Sequence, residues 1–159
     1  MINQKSGISR RELLGAFAAT AFVAAPAYAN VAGFLRGAGN IRRIKMYSTR
    51  TDESLDMIYW IEGHYIKDAL AEVNWFMRDW RQNKARDIDT RTVDIIAASQ
   101  QLLDTSYPFL MLSGYRTPAT NNLLLARSRN VAKNSLHMTG QAADLRIKDK
   151  SLRQRAIAA

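Results

Sequence analysis

His137 and Asp144 stand seven residues apart in the segment Ser135-Leu136-His137-Met138-Thr139-Gly140-Gln141-Ala142-Ala143-Asp144. An imidazole and a carboxylate form a donor pair that a borderline metal such as zinc favours. Gly140 lies between them and lets the chain turn, so both side chains can converge. Two ligands of one zinc ion, each about 2 Å from it, must approach each other to roughly 3–4 Å. A catalytic zinc site uses three protein ligands and keeps a fourth position for water, and only two are visible here. A lone His–Asp pair is equally the pattern of a hydrogen-bonded structural pair. Ser135 can hydrogen-bond the loop itself or a ligand beside the pair. Upstream, Ser113-Gly114-Tyr115-Arg116-Thr117-Pro118 follows an apolar run. Gly114 permits a tight backbone, and Arg116 would stand at a strand exit, where sites collect. Its guanidinium can bind a carboxylate or stabilise a developing oxyanion. The plainer reading is a structural ion pair with Asp104 or Asp144.

The chain that must position these groups has 159 residues, 47% hydrophobic and 23% charged. That suits one soluble domain with a real core. Cysteine is absent, which excludes disulfides, thiolate metal sites and a cysteine nucleophile. Any metal must be held by His, Asp or Glu.

Residues 1–29 read as a twin-arginine signal peptide. Arg10 and Arg11 precede an apolar run over residues 13–25, and Ala27-Tyr28-Ala29 supplies a small-x-small cleavage pattern before Asn30. The expected location is therefore the periplasm, with no stable membrane span once the signal is cleaved. The run is too short to span a bilayer comfortably. The net charge of +9 falls to +7 when Lys5, Arg10, Arg11 and Glu12 leave with the signal. An exported basic protein meets anionic wall and lipid rather than nucleic acid. No basic helix or nucleic-acid motif is present, so nucleic acid is not an expected partner.

Residues 30–40 are glycine-rich and form a flexible lead-in. Alternation predicts a strand over residues 42–47, and apolar and aromatic content predicts a second over 55–61, closed by Gly63. From Tyr65, the spacing of Ile66, Leu70, Val73, Met77 and Trp80 predicts a helix. Asp89 or Thr90 can cap a second helix with Val93, Ile96, Ala97 and Leu103 inward, ended by Tyr107-Pro108. Residues 109–112 form a short buried strand. Pro118 opens a third helix, with residues 123–125 as its apolar contact. Residues 127–135 make a polar loop, and Ala143, Leu145 and Ile147 alternate as a strand. Ser151 can cap a last helix. The fold class is α+β: a small antiparallel sheet with flanking helices, in one domain over residues 41–159.

Ser-x-His-x-x-Gly-x-Ala-x-Asp, preceded by Ser-Gly-Tyr-Arg-Thr-Pro, resembles the zinc D-alanyl-D-alanine peptidases and murein endopeptidases of the hedgehog/DD-peptidase fold. The murein endopeptidase K-like branch is the particular resemblance. It extends through Tyr59-Trp60, Gly63, Tyr65-Ile66, Arg78-Asp79-Trp80-Arg81, Ile88-Asp89, Thr120-Asn121 and Val131-Ala132-Lys133-Asn134, and so covers residues 41–147. It implies zinc held by His137 and Asp144, a catalytic role for Arg116, and substrate-binding roles for Ser135 and Tyr115. The implied substrate is a peptidoglycan cross-link peptide, cleaved by metal-assisted amide hydrolysis. The family's third ligand, a histidine, lies in a later His-Val-Asp-like segment that also carries the general base. No such segment stands here, so the third ligand is unknown, the domain is expected to lack its C-terminal part, and activity is expected to be impaired. His64 does not match a ligand position and reads as a turn residue beside Gly63. A non-catalytic wall-binding remnant of the family is the alternative.

Overall fold

The computed structural model describes residues 39–147. The chain divides into Met1–Arg36 and Gly37–Ala159, and the described residues belong to the second unit. The expected signal peptide, most of the expected lead-in and the helix expected from Ser151 lie outside the described residues.

The sheet is built around β1 (Ile41–Ser48), whose Ile44 and Met46 are fully buried. It pairs antiparallel with β2 (Glu53–Ile61), and β2 pairs with the two-residue β3 (His64–Tyr65). Glu62 and Gly63 join β2 to β3 with φ of 44° and 91°, the signature of a tight two-residue hairpin. Arg42 faces Trp60 and Arg43 faces Ile58, so Tyr59 is the extra residue of a bulge. Its ring is fully buried, and its hydroxyl donates to Asp94 at 2.8 Å.

α1 (Lys67–Phe76) buries Ala69, Val73 and Phe76 against this sheet. The apolar spacing that predicted a longer helix runs on to Trp80, but the chain leaves the helix at Met77. One tertiary and one local bond outcompete the helical ladder there. The Met77 carbonyl accepts from Tyr115 N at 2.7 Å, and the Asp79 carboxylate accepts from Arg81 N at 3.1 Å.

α2 (Thr90–Leu102) starts at Asp89, whose side chain accepts from Arg91 N at 3.0 Å, so the cap is Asp89 rather than Thr90. Val93, Ile96 and Ala97 face the core as expected. β4 (Phe109–Ser113) lies on the other side of β1, and the two run parallel. The expected antiparallel sheet is therefore mixed. The chain from β1 to β4 passes through β2, β3, α1 and α2, and that long crossover brings β4 back in the direction of β1. β5 (Asp144–Arg146) pairs antiparallel with β4, giving the order β3-β2-β1-β4-β5 and placing β5 last in the sheet of the described residues. The α+β class holds.

α3 (Pro118–Arg127) begins at Thr117 with Pro118 in its first turn. Its buried residues are Thr120 and Asn121, whereas Leu123 is 53% exposed. The apolar contact expected from the three leucines is replaced by a polar anchor. Asn121 donates to the carbonyls of Ala132 and Lys133 at 3.1 and 3.3 Å and so holds the loop beyond the helix. Among the described residues, no helix is long and apolar enough to cross a membrane.

Candidate metal and substrate site

The site forms where β4 and β5 end. Leu110 faces Arg146, Met111 faces Leu145, and then Ser113 faces Asp144, so Leu112 is the extra residue of a bulge. A bulge re-aims the side chains beyond it, and here it sets Ser113 and Asp144 opposite each other. Gly114 follows. A Cβ on it would come within 2.4 Å of the Met77 carbonyl oxygen, so only glycine lets this strand exit lie against the end of α1.

His137 sits in a single 3₁₀ turn, Leu136–Thr139. Ser135 precedes the turn and accepts from His137 N at 3.4 Å, a capping role. Gly140 ends it with φ of 72°. There a Cβ would meet Asp87 O at 2.6 Å and Ile88 Cα at 3.1 Å. The left-handed backbone and the close approach both require glycine. Gly140 O accepts from Asp89 N at 3.0 Å, which docks the turn on the start of α2. On the other side, His137 O accepts from Arg116 N at 3.1 Å.

The side chains converge as these elements dictate. His137 is buried, and its Nδ1 lies 2.8 Å from Gly114 O. As a donor, Nδ1 fixes the ring and leaves Nε2 as the electron-pair donor. Nε2 lies 3.4 Å from Asp144 Oδ1. The second oxygen, Oδ2, accepts from Arg116 NH2 at 2.5 Å. Arg116 Nε donates to Ser113 Oγ at 2.8 Å. The half-exposed carboxylate is thus shared between the imidazole on one oxygen and the guanidinium on the other. Burial pushes the Asp144 carboxyl up, but the hydrogen bond and charge that His137 offers in its cationic form, then those of Arg116, outweigh it and hold it below the usual range.

This arrangement contains the ion pair of the plainer reading, Arg116 with Asp144, and also the approach that two ligands of one metal need. The donor pair fits two coordination positions: one nitrogen with its ring tied through the far nitrogen, and one carboxylate oxygen with its mate held by arginine. Among the described residues, no group of three His, Cys, Asp or Glu converges. His64 is exposed on β3, with Nδ1 3.0 Å from Glu62 O, and does not join the site. Tyr115 packs its ring against the core, while its backbone N donates to Met77 O.

Asp79 is the component that residue spacing did not single out. It is 1% exposed, and its Oδ2 accepts from Thr117 N and Thr117 Oγ1 at 2.9 and 2.8 Å. It thereby fixes the residue next to Arg116. Burial pushes its carboxyl up, but the hydrogen bonds from Thr117 and Arg81 help to hold it below its ordinary value. The available signal was an acid inside the arginine-rich run Arg78-Asp79-Trp80-Arg81.

Residues 36–159 match the family described as peptidoglycan L,D-endopeptidase MepK. The peptidoglycan L,D-endopeptidase MepK of Escherichia coli (strain K12) is 37% identical over 151 residues, which cover 93% of this chain and 80% of that protein. The probable peptidoglycan L,D-endopeptidase MepK of Haemophilus influenzae is 29% identical over 107 residues, covering 67% of this chain and 58% of the relative. No solved structure matches the chain. The resemblance carried by the Ser-Gly-Tyr-Arg-Thr-Pro and Ser-x-His-x-x-Gly-x-Ala-x-Asp motifs is borne out: the chain belongs to the peptidoglycan L,D-endopeptidase MepK family.

Proposed function

We propose that this chain is an exported zinc endopeptidase that hydrolyses amide bonds in peptidoglycan cross-link peptides. The observation that carries the reading is the convergence of His137 Nε2 and Asp144 Oδ1 at 3.4 Å, in a chain 37% identical to a named peptidoglycan endopeptidase. Zinc bound there supplies Lewis acidity toward a carbonyl oxygen and lowers the pKa of water. The chain's own groups set up that chemistry. Gly114 O holds the imidazole so that Nε2 faces the metal position. Asp144 would give Oδ1 to that position while Arg116, itself braced on Ser113, holds its other oxygen. The NH1 end of Arg116 has no partner among the described residues and is the part of the fork left for a substrate oxygen. There it would offset negative charge as the carbonyl becomes tetrahedral.

Two donors hold zinc less firmly than three. We therefore propose that the 159-residue polypeptide turns over slowly unless a further donor completes the site. The same shortage of donors among the described residues favours a second reading, a wall-binding protein that keeps the cleft without turnover. One experiment separates the two. The purified mature chain is incubated with zinc and soluble cross-linked muropeptide dimers. Chelator-sensitive release of monomers, lost in His137→Ala and in Asp144→Ala, supports the enzyme. Binding of the dimers with no release under any zinc concentration supports the binder. Neither release nor binding sinks both.

A further inference from the structure

We propose that Arg81 and Arg50, gathered on the Trp80 indole beside Arg116, form an anion subsite that takes a free carboxylate of an acidic peptide substrate. The inference deepens the proposed function and rests on it for the identity of the peptide. The Arg81 guanidinium carbon lies 4.2 Å from the Trp80 ring centroid, and that of Arg50 lies 5.8 Å from the same centroid. One indole thus carries two cations. The platform is tied to the metal site by a single buried carboxylate. Asp79 Oδ1 accepts from Arg81 N at 3.1 Å, and Oδ2 accepts from Thr117 N at 2.9 Å, the residue after Arg116.

The guanidiniums gathered here lack the partners that arginines elsewhere in the fold possess. Arg42 pairs with Asp94 at 2.8 Å, Arg43 with Asp56 at 2.5 Å, and Arg78 with Glu53 at 2.9 Å. Among the described residues, no carboxylate pairs with the guanidinium of Arg50, Arg81 or Arg127. Asp79 cannot fill that role, because its oxygens are occupied by backbone N–H and hydroxyl groups. Burial lowers the Arg81 pKa; the charge of Asp79 opposes this, and the charges of Arg50, Arg116 and Arg127 lower it further. Like charges held together on a fixed platform, with only the buried Asp79 carboxylate to oppose them and no ion pair on the guanidiniums of Arg50 and Arg81, are a preorganised site for an anion. A peptide whose scissile carbonyl sits at His137 and Asp144 would carry its neighbouring free carboxylate past Arg116 onto this platform.

The test is a binding titration of a soluble, acidic cross-linked peptide dimer and of the same dimer with its free carboxylates amidated, using the full chain with and without added zinc. Amidation is expected to weaken binding to the unmodified protein about tenfold. Arg81→Gln is expected to weaken binding of the acidic dimer by a similar factor and to leave the amidated dimer unchanged. Arg81→Lys should recover much of the loss, and Arg50→Gln should show a smaller effect in the same direction. The Arg81 side chain is exposed, and unchanged thermal midpoints verify that the variants fold. Equal binding of both dimers by the unmodified protein, equal affinity of Arg81→Gln for the acidic dimer, or no binding of either dimer overturns the subsite. Cleavage is measured separately. Cleavage without any Arg81 dependence removes only the subsite, and Arg81-dependent binding without cleavage removes only the hydrolytic reading.

Discussion

Arg116 makes three ties within one residue, two from its side chain and one from its backbone. Its Nε donates to Ser113 and its NH2 to Asp144, while its backbone N donates to His137 O. The guanidinium therefore orients the carboxylate that is proposed to hold the metal, in addition to facing substrate with its remaining edge. Groups that orient a ligand affect metal affinity about 10- to 100-fold when removed. Arg116→Gln should accordingly weaken zinc binding at least about tenfold in a competition titration with a chromogenic chelator. Arg116→Lys should fall between, because an ammonium cannot hold Ser113 and Asp144 at once. Unchanged zinc affinity in Arg116→Gln would mean that the arginine serves substrate alone. At this scale the sequence was informative: the types and spacing of His137, Asp144, Gly140 and Arg116 anticipated a shared location. The partners that hold them were harder to read. Ser113 and Asp79 act across 3 and 38 residues of sequence, and no local pattern announces the second.

The elements carry the site through their ends, so a change at a cap or a turn reaches the metal position. Gly140 is the clearest case. An added Cβ would strain a left-handed residue and press on Asp87 O and Ile88 Cα, both of them backbone atoms. Gly140→Ala should cost about 1–2 kcal/mol from φ alone and more from the clash. It should lower the thermal midpoint by several degrees and weaken zinc binding with it. A midpoint within a degree of the parent's would show that the turn has another conformation available.

Asp89 makes the matching case on α2. Its hydrogen bond with the Arg91 side chain, opposed by burial and aided by Arg91 N and Gln141, lowers its pKa to about 2. A carboxyl depressed on folding stabilises above its unfolded pKa of about 3.9 and loses that contribution as pH falls toward 2. Asp89→Ala should cost about 1 kcal/mol at pH 7, and the gap in urea midpoint should narrow between pH 4 and pH 2. A gap that stays constant over that window would mean that the cap does not depend on ionisation.

Periodicity located β1 and α2, which have a buried face of regular spacing, and apolar content located β2 and β4. It missed β3, which has two residues and exists only through pairing with β2. It also overran the end of α1, where Asp79 and the Gly114 contact end a helix whose apolar spacing continues. The parallel pairing of β1 with β4 joins residues more than 60 apart, and no window of sequence contains that information. The leucines of α3 misled because the buried face there is Thr120 and Asn121, and Asn121 holds a loop.

At the scale of the whole molecule, the excess of basic residues is unevenly used. Arg42, Arg43 and Arg78 are paired with carboxylates, while Arg50 and Arg81 share the Trp80 indole and Arg81 feels the charge of Arg116, so unpaired positive charge is concentrated near the proposed site. A field of that kind raises the encounter rate with an anionic polymer and weakens with salt. Such a polymer lies outside the cytoplasm, and the proposed activity therefore depends on export. The motive for export is the order of Arg10-Arg11, the apolar run over residues 13–25 and Ala27-Tyr28-Ala29. The family match starts at residue 36 and leaves that segment outside it. Replacing both arginines by lysine keeps the charge of the basic region and its place before the apolar run. A pathway that reads only charge and hydrophobicity would not distinguish the variant, whereas the twin-arginine pathway would. Arg10→Lys with Arg11→Lys should therefore leave full-length precursor in the cytoplasm, while the parent chain yields a periplasmic product beginning at Asn30. Fractionation followed by N-terminal sequencing reads both outcomes. Equal periplasmic accumulation of the double variant would remove the twin-arginine assignment, and a product starting elsewhere would move the cleavage site.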